Sequence, residues 1–197
     1  SDPGQSGVRV APVSVGVPFA VGALQDDKQA WLADAKGRPV PLQTLVTSRW
    51  WARGNSVQTL LCTWLADPRQ EKYVLHVNEP PRKPTPTATV AVKQDGQTAT
   101  VDTGALRASV GGASGFLQQL TLVPDQALVA PTRPATLRCG DYSSAGGLEQ
   151  LTVEEAGPVR AVIRLQGHHR KPDGSKSVAF DVRLRFYAGQ RFIELDH

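Results

Sequence analysis

Strand periodicity gathers four arginines and a tyrosine on one side of a hairpin near the end of the chain. In Val159-Arg-Ala-Val-Ile-Arg-Leu165, apolar residues alternate with Arg160 and Arg164; in Phe180-Asp-Val-Arg-Leu-Arg-Phe186 they alternate with Asp181, Arg183 and Arg185, and Tyr187 is next in phase. Successive side chains of a strand point to opposite faces. The apolar sets therefore face a core, and Arg160, Arg164, Arg183, Arg185 and Tyr187 face away from it. A guanidinium grips a carboxylate through two parallel hydrogen bonds, so an acidic sugar chain could lie across this face. The alternative, favoured by the usual fate of charges on sheets, is a solvated or interdomain surface on which Asp181 and neighbouring acids pair the arginines.

Trp50 and Trp51 are the second candidates. Consecutive indoles in a strand cannot both point inward, so one is expected to be exposed or packed under a loop, and an exposed ring can stack on a sugar. The remaining chemistry-bearing residues assemble nothing. His168-His169 lies at the hairpin loop with only Asp173 nearby, too little for a metal site, and reads as a solvated pair. His76 alternates within Tyr73-Val-Leu-His-Val77 and is expected on the polar face of a strand. Asp26-Asp27 and Glu154-Glu155 are adjacent carboxylates, which point to opposite faces and cannot act as an acid/base pair. There is no Gly-x-Ser-x-Gly elbow and no glycine-rich phosphate loop. No catalytic residue, metal ligand or cofactor site is therefore expected.

The elements that must hold these residues are strands. The chain has 197 residues, no Met, 18 Gly and 15 Pro, and no window sustains a 3.6-residue apolar period. Gln25 to Ala35 comes nearest, with a stripe too narrow for more than a turn or two of helix. The net charge of +4 comes without any Lys/Arg run, so nucleic acid is not expected, while an acidic polysaccharide is compatible. No stretch is apolar enough to span a membrane. Ser1 to Gly7 is a polar start set aside from fold reasoning. Cys62 sits in the buried-strand composition Leu60-Leu-Cys-Thr-Trp-Leu65 and Cys139 precedes a turn-like Gly. Both a bridge and two free thiols are open to them.

Glu79-Pro-Pro-Arg-Lys-Pro-Thr-Pro-Thr87 is the clearest break in composition, an extended semi-rigid linker. It divides the chain into a domain at 1–78, the linker at 79–87 and a domain at 88–197. The first has strand signals near Val8 to Val15, Pro18 to Ala23, Val40 to Ser48, Val57 to Leu65 and Tyr73 to Val77, separated by turn compositions, which suggests a small β-barrel. The second has them near Thr89 to Lys93, Thr98 to Asp102, Leu106 to Val110, Gly115 to Leu122 and Gln150 to Glu155, followed by the hairpin, which suggests an antiparallel β-sandwich. Arg191 to His197 begins another strand with no closing turn. The sandwich is thus expected to be incomplete at its C-terminus, and the chain to be a piece of a longer parent.

Three segments of the first domain, Gly16-Val-Pro-Phe-Ala-Val-Gly-Ala-Leu24, Gly37-Arg-Pro-Val-Pro-Leu-Gln43 and Arg49-Trp50 with the strand to Trp64, resemble the N-terminal barrel of the exo-rhamnogalacturonan lyase family of polysaccharide lyases. Val101-Asp-Thr-Gly104, Gly115-Phe-Leu117, Glu155-Ala-Gly-Pro-Val-Arg-Ala-Val162 and Arg185-Phe-Tyr-Ala-Gly189 resemble the β-sandwich that follows it. The Ala52-Arg-Gly-Asn55 turn departs from that pattern. The resemblance implies a secreted or periplasmic parent whose lyase chemistry lies in a helical toroid beyond these residues, with this portion structural or substrate-supporting. A freestanding carbohydrate-binding or protein-interaction module is the other reading.

Overall fold

The regular structure of the chain is antiparallel strand, broken only by short turns of 3-10 helix among the described residues. The computed structural model describes residues 10–52, 54–85 and 88–197. The polar start, the first residues of the first expected strand, Arg53 of the divergent turn and the last two residues of the Pro-rich segment lie outside them. Two compact units are present, Ser1–Pro86 and Thr87–His197.

The first unit contains β1 (Ala11–Pro18), β2 (Ala30–Asp34), β3 (Pro39–Val40), β4 (Gln43–Arg49), β5 (Val57–Ala66) and β6 (Tyr73–Val77). They form two three-stranded sheets, ordered β1-β5-β4 and β3-β2-β6, that make a half-barrel. Leu24, Val57, Leu60 and Cys62 are buried at its centre, packed by Val17 and Val46 from one sheet and by Ala30, Leu75 and Val77 from the other. Cys62 is thus a core residue with a free thiol that burial pushes up to about 11, while Cys139 is free and exposed.

One strand expected in this unit is corrected. Pro18 to Ala23 is no strand, because β1 ends at Pro18 and the chain turns at Val21–Gly22. Gln25 to Ala35 is one 3-10 turn, Asp27–Gln29, capped by the Asp26 carboxylate on the Lys28 amide, and then strand β2. Trp31, Leu32, Ala33 and Asp34 are all buried, so β2 shows no alternation to read. Asp34 closes the following turn: its carboxylate accepts from the amides of Lys36 and Arg38 and from the Arg38 guanidinium. His76 stacks on the Trp31 ring with 4.0 Å between centroids, and the Arg82 guanidinium lies 5.2 Å from the same ring. The Pro-rich segment, which has no helix or strand at residues 80–85, is therefore fastened to its own unit at Arg82.

The second unit contains β7 (Ala91–Asp95), β8 (Thr98–Asp102), β9 (Leu106–Gly111), β10 (Phe116–Leu122), β11 (Gln126–Val129), β12 (Arg138–Cys139), β13 (Tyr142–Ser143), β14 (Leu148–Ala156), β15 (Arg160–Arg170), β16 (Lys176–Tyr187) and β17 (Ile193–Asp196). A five-stranded sheet runs β11-β10-β9-β8-β7; a six-stranded sheet runs β12-β13-β15-β16-β17, with β14 paired to β15. The core lies between their apolar faces: Ala99, Val101, Leu106, Ala108 and Val110 on one side, and Ala161, Ile163, Leu165, Val182, Leu184 and Phe186 on the other. The sheets are tied at Thr103, whose hydroxyl donates to the Gln190 carbonyl and whose own carbonyl accepts from the Gly189 amide.

The β15–β16 hairpin is longer than its alternation suggests. His168 and His169 lie within β15, and the pair is not solvated: His169 is buried, its ring 5.3 Å from that of Phe180. A glycine permits this path. A Cβ on Gly167 would sit 2.1 Å from the Gly147 carbonyl oxygen, so β15 passes the start of β14 at a distance only glycine allows.

Candidate functional site

The outer face of the six-stranded sheet holds the arginines, and each meets a carboxylate. Arg164 and Arg183 are cross-strand neighbours, an arrangement that would repel were the acids absent. Asp181 takes Arg164 at both oxygens, and Glu154 takes Arg183 with Nε–Oε2 2.8 Å and Nη2–Oε1 3.1 Å. Arg185 pairs with Asp196 on β17. These three keep about a quarter to a third of their side-chain surface exposed. An acidic chain laid here would have to displace carboxylates already seated in bidentate geometry.

Arg160 and Tyr187 lie on the same side but not in solvent, a correction to the exposure expected of them. Arg160 is 6% and Tyr187 3% exposed. A bulge in β14 between Val153 and Glu155 swings Glu155 over Arg160, with Nη2–Oε1 2.6 Å and Nε–Oε2 3.1 Å. The Tyr187 hydroxyl donates to Glu194 Oε2 at 2.6 Å and its ring lies 5.8 Å from that of Phe192. Burial, then the Glu194 carboxylate, pushes the Tyr187 phenol up to about 12. Period two fixes the side of a sheet on which a residue stands, not whether that side is covered.

At the opposite end of the face, a hollow of about 390 Å³ is lined by Glu149, Gln166, His168 and Asp181. Glu149 Oε1 accepts from Lys176 Nζ at 2.8 Å and lies 3.1 Å from His168 Nδ1, and Lys176 first, then His168, holds its carboxyl below the ordinary value against the effect of burial. A carboxylate so engaged is a poor general base. Among the described residues no three His, Cys, Asp or Glu side chains are grouped to hold a metal.

The carboxylate pairs imply an acid dependence. The Arg164 hydrogen bonds hold Asp181 below 3.8, with burial opposing and the charges of Arg164 and Arg183 assisting. A group whose folded pKa is depressed adds stability above its unfolded pKa and loses it as pH falls through the folded value. The melting temperature is therefore expected to fall as pH drops below about 4, and Asp181→Asn to make that fall shallower. Thermal unfolding across a pH series checks this; an unchanged slope in the variant counts against the pairing.

The two indoles part company. Trp50 is half-buried and donates from Nε1 to the Phe19 carbonyl at 3.0 Å, whereas Trp51 is 87% exposed.

A site that sequence reasoning missed lies on the outer face of the five-stranded sheet. A hollow of about 520 Å³ is lined by two rows of residues in register across β7, β8, β9 and β10. One row is Lys93, Thr100, Ser109, Gln119; the other is Ala91, Asp102, Arg107, Thr121. Arg107 Nε pairs with Asp102 Oδ2 at 3.0 Å, and Asp102 also accepts from the Gly104 amide. The signal was the polar half of each alternation, but only the register assembles four strands' worth into one surface.

The model of a family described as the PcRGLX-like protein central beta sandwich domain matches residues 90–197. The uncharacterized protein YetA of Bacillus subtilis (strain 168) is 25% identical over 198 residues, an alignment that takes in 94% of this chain and 22% of YetA. The chain thus spans about a fifth of that relative's length.

Proposed function

The chain belongs to the PcRGLX-like family, and from that premise we propose that it is the non-catalytic β portion of a polysaccharide lyase-like protein acting on acidic, rhamnogalacturonan- or pectin-type polysaccharide. The match of the central sandwich domain over residues 90–197 is the observation that carries this reading. On it, the first unit is the N-terminal barrel of the exo-rhamnogalacturonan lyase architecture, and cleavage belongs to a further, catalytic domain of the same parent. A substrate of polymer size places that parent outside the cytoplasm, secreted or periplasmic. The role of this portion is to support the sugar chain or the domain that cuts it.

The chemistry of the polar faces supports a non-catalytic assignment. Elimination at a uronate needs a base beside the proton α to the carboxylate and a cation to neutralise that carboxylate. Arg164, Arg183 and Arg185 are already neutralised by Asp181, Glu154 and Asp196, and His168 shares Glu149 with Lys176. The purified chain is therefore expected to be retarded in a gel containing rhamnogalacturonan at low salt, without any growth of the ultraviolet absorbance of unsaturated uronate. Product absorbance overturns the non-catalytic assignment; free migration overturns support of the sugar chain and leaves this portion as support for the domain that cuts it.

A further inference from the structure

We infer that the hollow on the outer face of the five-stranded sheet is a glycan-binding cleft that seats a uronate carboxylate on Lys93 and lays the linked sugar rings across β8, β9 and β10. The inference rests on the polysaccharide reading above and gives it a place in the fold.

The geometry comes from the register. Lys93, Thr100, Ser109 and Gln119 are successive cross-strand partners, so the row crosses three interstrand gaps of about 4.8 Å, about 14 Å in all. That length suits a short run of linked rings, and the volume of about 520 Å³ falls within the range of small-ligand sites. All four positions are on paired strands, which hold side chains more firmly than loops do.

The hydrogen-bonding groups are of the kind a sugar needs. The Lys93 ammonium, the Ser109 and Thr121 hydroxyls and the Gln119 amide have no partner among the described residues, and the Thr100 hydroxyl donates to the Lys93 carbonyl at 3.3 Å, leaving its lone pairs to accept. The contrast with the opposite sheet is direct. There Arg160, Arg164, Arg183 and Arg185 are each occupied by an acid of the same unit; here, among the described residues, the polar groups are open and the ion pair Asp102–Arg107 is neutral as a unit.

Charge sets the direction of the ligand. Lys93 is the uncompensated cation of the lining, on β7, while Asp125 stands just beyond β10 at the diagonally opposite corner. A carboxylate is attracted to the first and repelled by the second, so the acidic ring lies at β7 and the less charged part of the chain over Ser109, Gln119 and Thr121.

Amide shifts of the labelled chain, titrated with a galacturonate trisaccharide and with its carboxyl-reduced counterpart, test the cleft. The expected shifts fall on β7 to β10. Lys93→Gln should weaken the acidic probe about tenfold and leave the neutral one unchanged, whereas Gln119→Ala should weaken both. Both positions are exposed, so the melting temperature should not move, and binding can be compared between folded proteins. Shifts on β15 and β16 instead, or equal acidic binding after Lys93→Gln, overturn the cleft. If rhamnogalacturonan still retards a chain whose cleft amides do not respond, the cleft falls and support of the sugar chain stands; without retardation the cleft and the sugar-supporting role fall together.

Discussion

Phe186→Ala is expected to destabilise the second unit by about 3–5 kcal/mol, the cost of removing a fully buried aromatic and leaving a cavity behind it. Phe186 is 0% exposed and lies on β16 in the middle of the hydrogen-bonded run β15-β16-β17, opposite Ala161 on one side and Ile193 on the other. The two cross-strand neighbours are held by backbone ladders, so they cannot collapse far into the void. A loss of this size is a large share of the about 5–15 kcal/mol that holds an ordinary domain. Urea unfolding followed by tryptophan-independent signals, such as far-ultraviolet circular dichroism, measures it. A loss under about 1 kcal/mol is the range of exposed positions and would remove Phe186 from the core.

The same residue shows what was legible beforehand. Alternation alone points Phe186 and its neighbours at 180, 182 and 184 inward, and β6 and β8 begin and end where period two says they do. Alternation is readable because one face of each strand is wet. It vanishes at β2, where Trp31, Leu32, Ala33 and Asp34 are all buried, and at the two-residue strands β12 and β13, which are only one period long. The β15–β16 hairpin extends beyond its alternation because His168, His169 and Gly167 look like loop residues in sequence; they are strand residues made possible by the close passage of Gly147.

The candidate sites divide in the same way. The shared side of Arg160, Arg164, Arg183 and Arg185 follows from period two and is present in the register. Their carboxylate partners are less legible, since Glu154 and Glu155 reach two different arginines only because a bulge in β14 lets consecutive residues serve the same side. The cleft of the other sheet was invisible for a further reason. Its lining comes from four strands, each contributing two modest polar residues, and no single segment carries enough to stand out. Sequence resemblance, by contrast, lay within single segments, and those quoted from the sandwich, Val101–Gly104 to Arg185–Gly189, fall inside the matched residues 90–197.

Arg160→Met is the second substitution with a large expected effect, and it separates a structural arginine from a ligand-binding one. An arginine on a solvated sheet face costs within about 0.5 kcal/mol to replace. Arg160 is not one. Its side chain is 8% exposed, that of Glu155 16%, and two hydrogen bonds join them. Removing one member leaves the other charge buried without its partner, so Arg160→Met is expected to destabilise by about 3–5 kcal/mol, and Glu155→Leu similarly. The double variant should recover much of that loss, because apolar replacement of both partners removes the desolvation cost together with the attraction. A thermodynamic cycle over the four proteins gives the coupling directly. Should Arg160→Met melt like the parent protein while weakening retardation by rhamnogalacturonan, Arg160 would return to the ligand-facing role its alternation suggested. The expected outcome is the reverse, lost stability with cleft binding intact in the fraction that remains folded, because Glu155 holds the guanidinium within the β14–β15 layer while the Lys93 row stands on the other sheet.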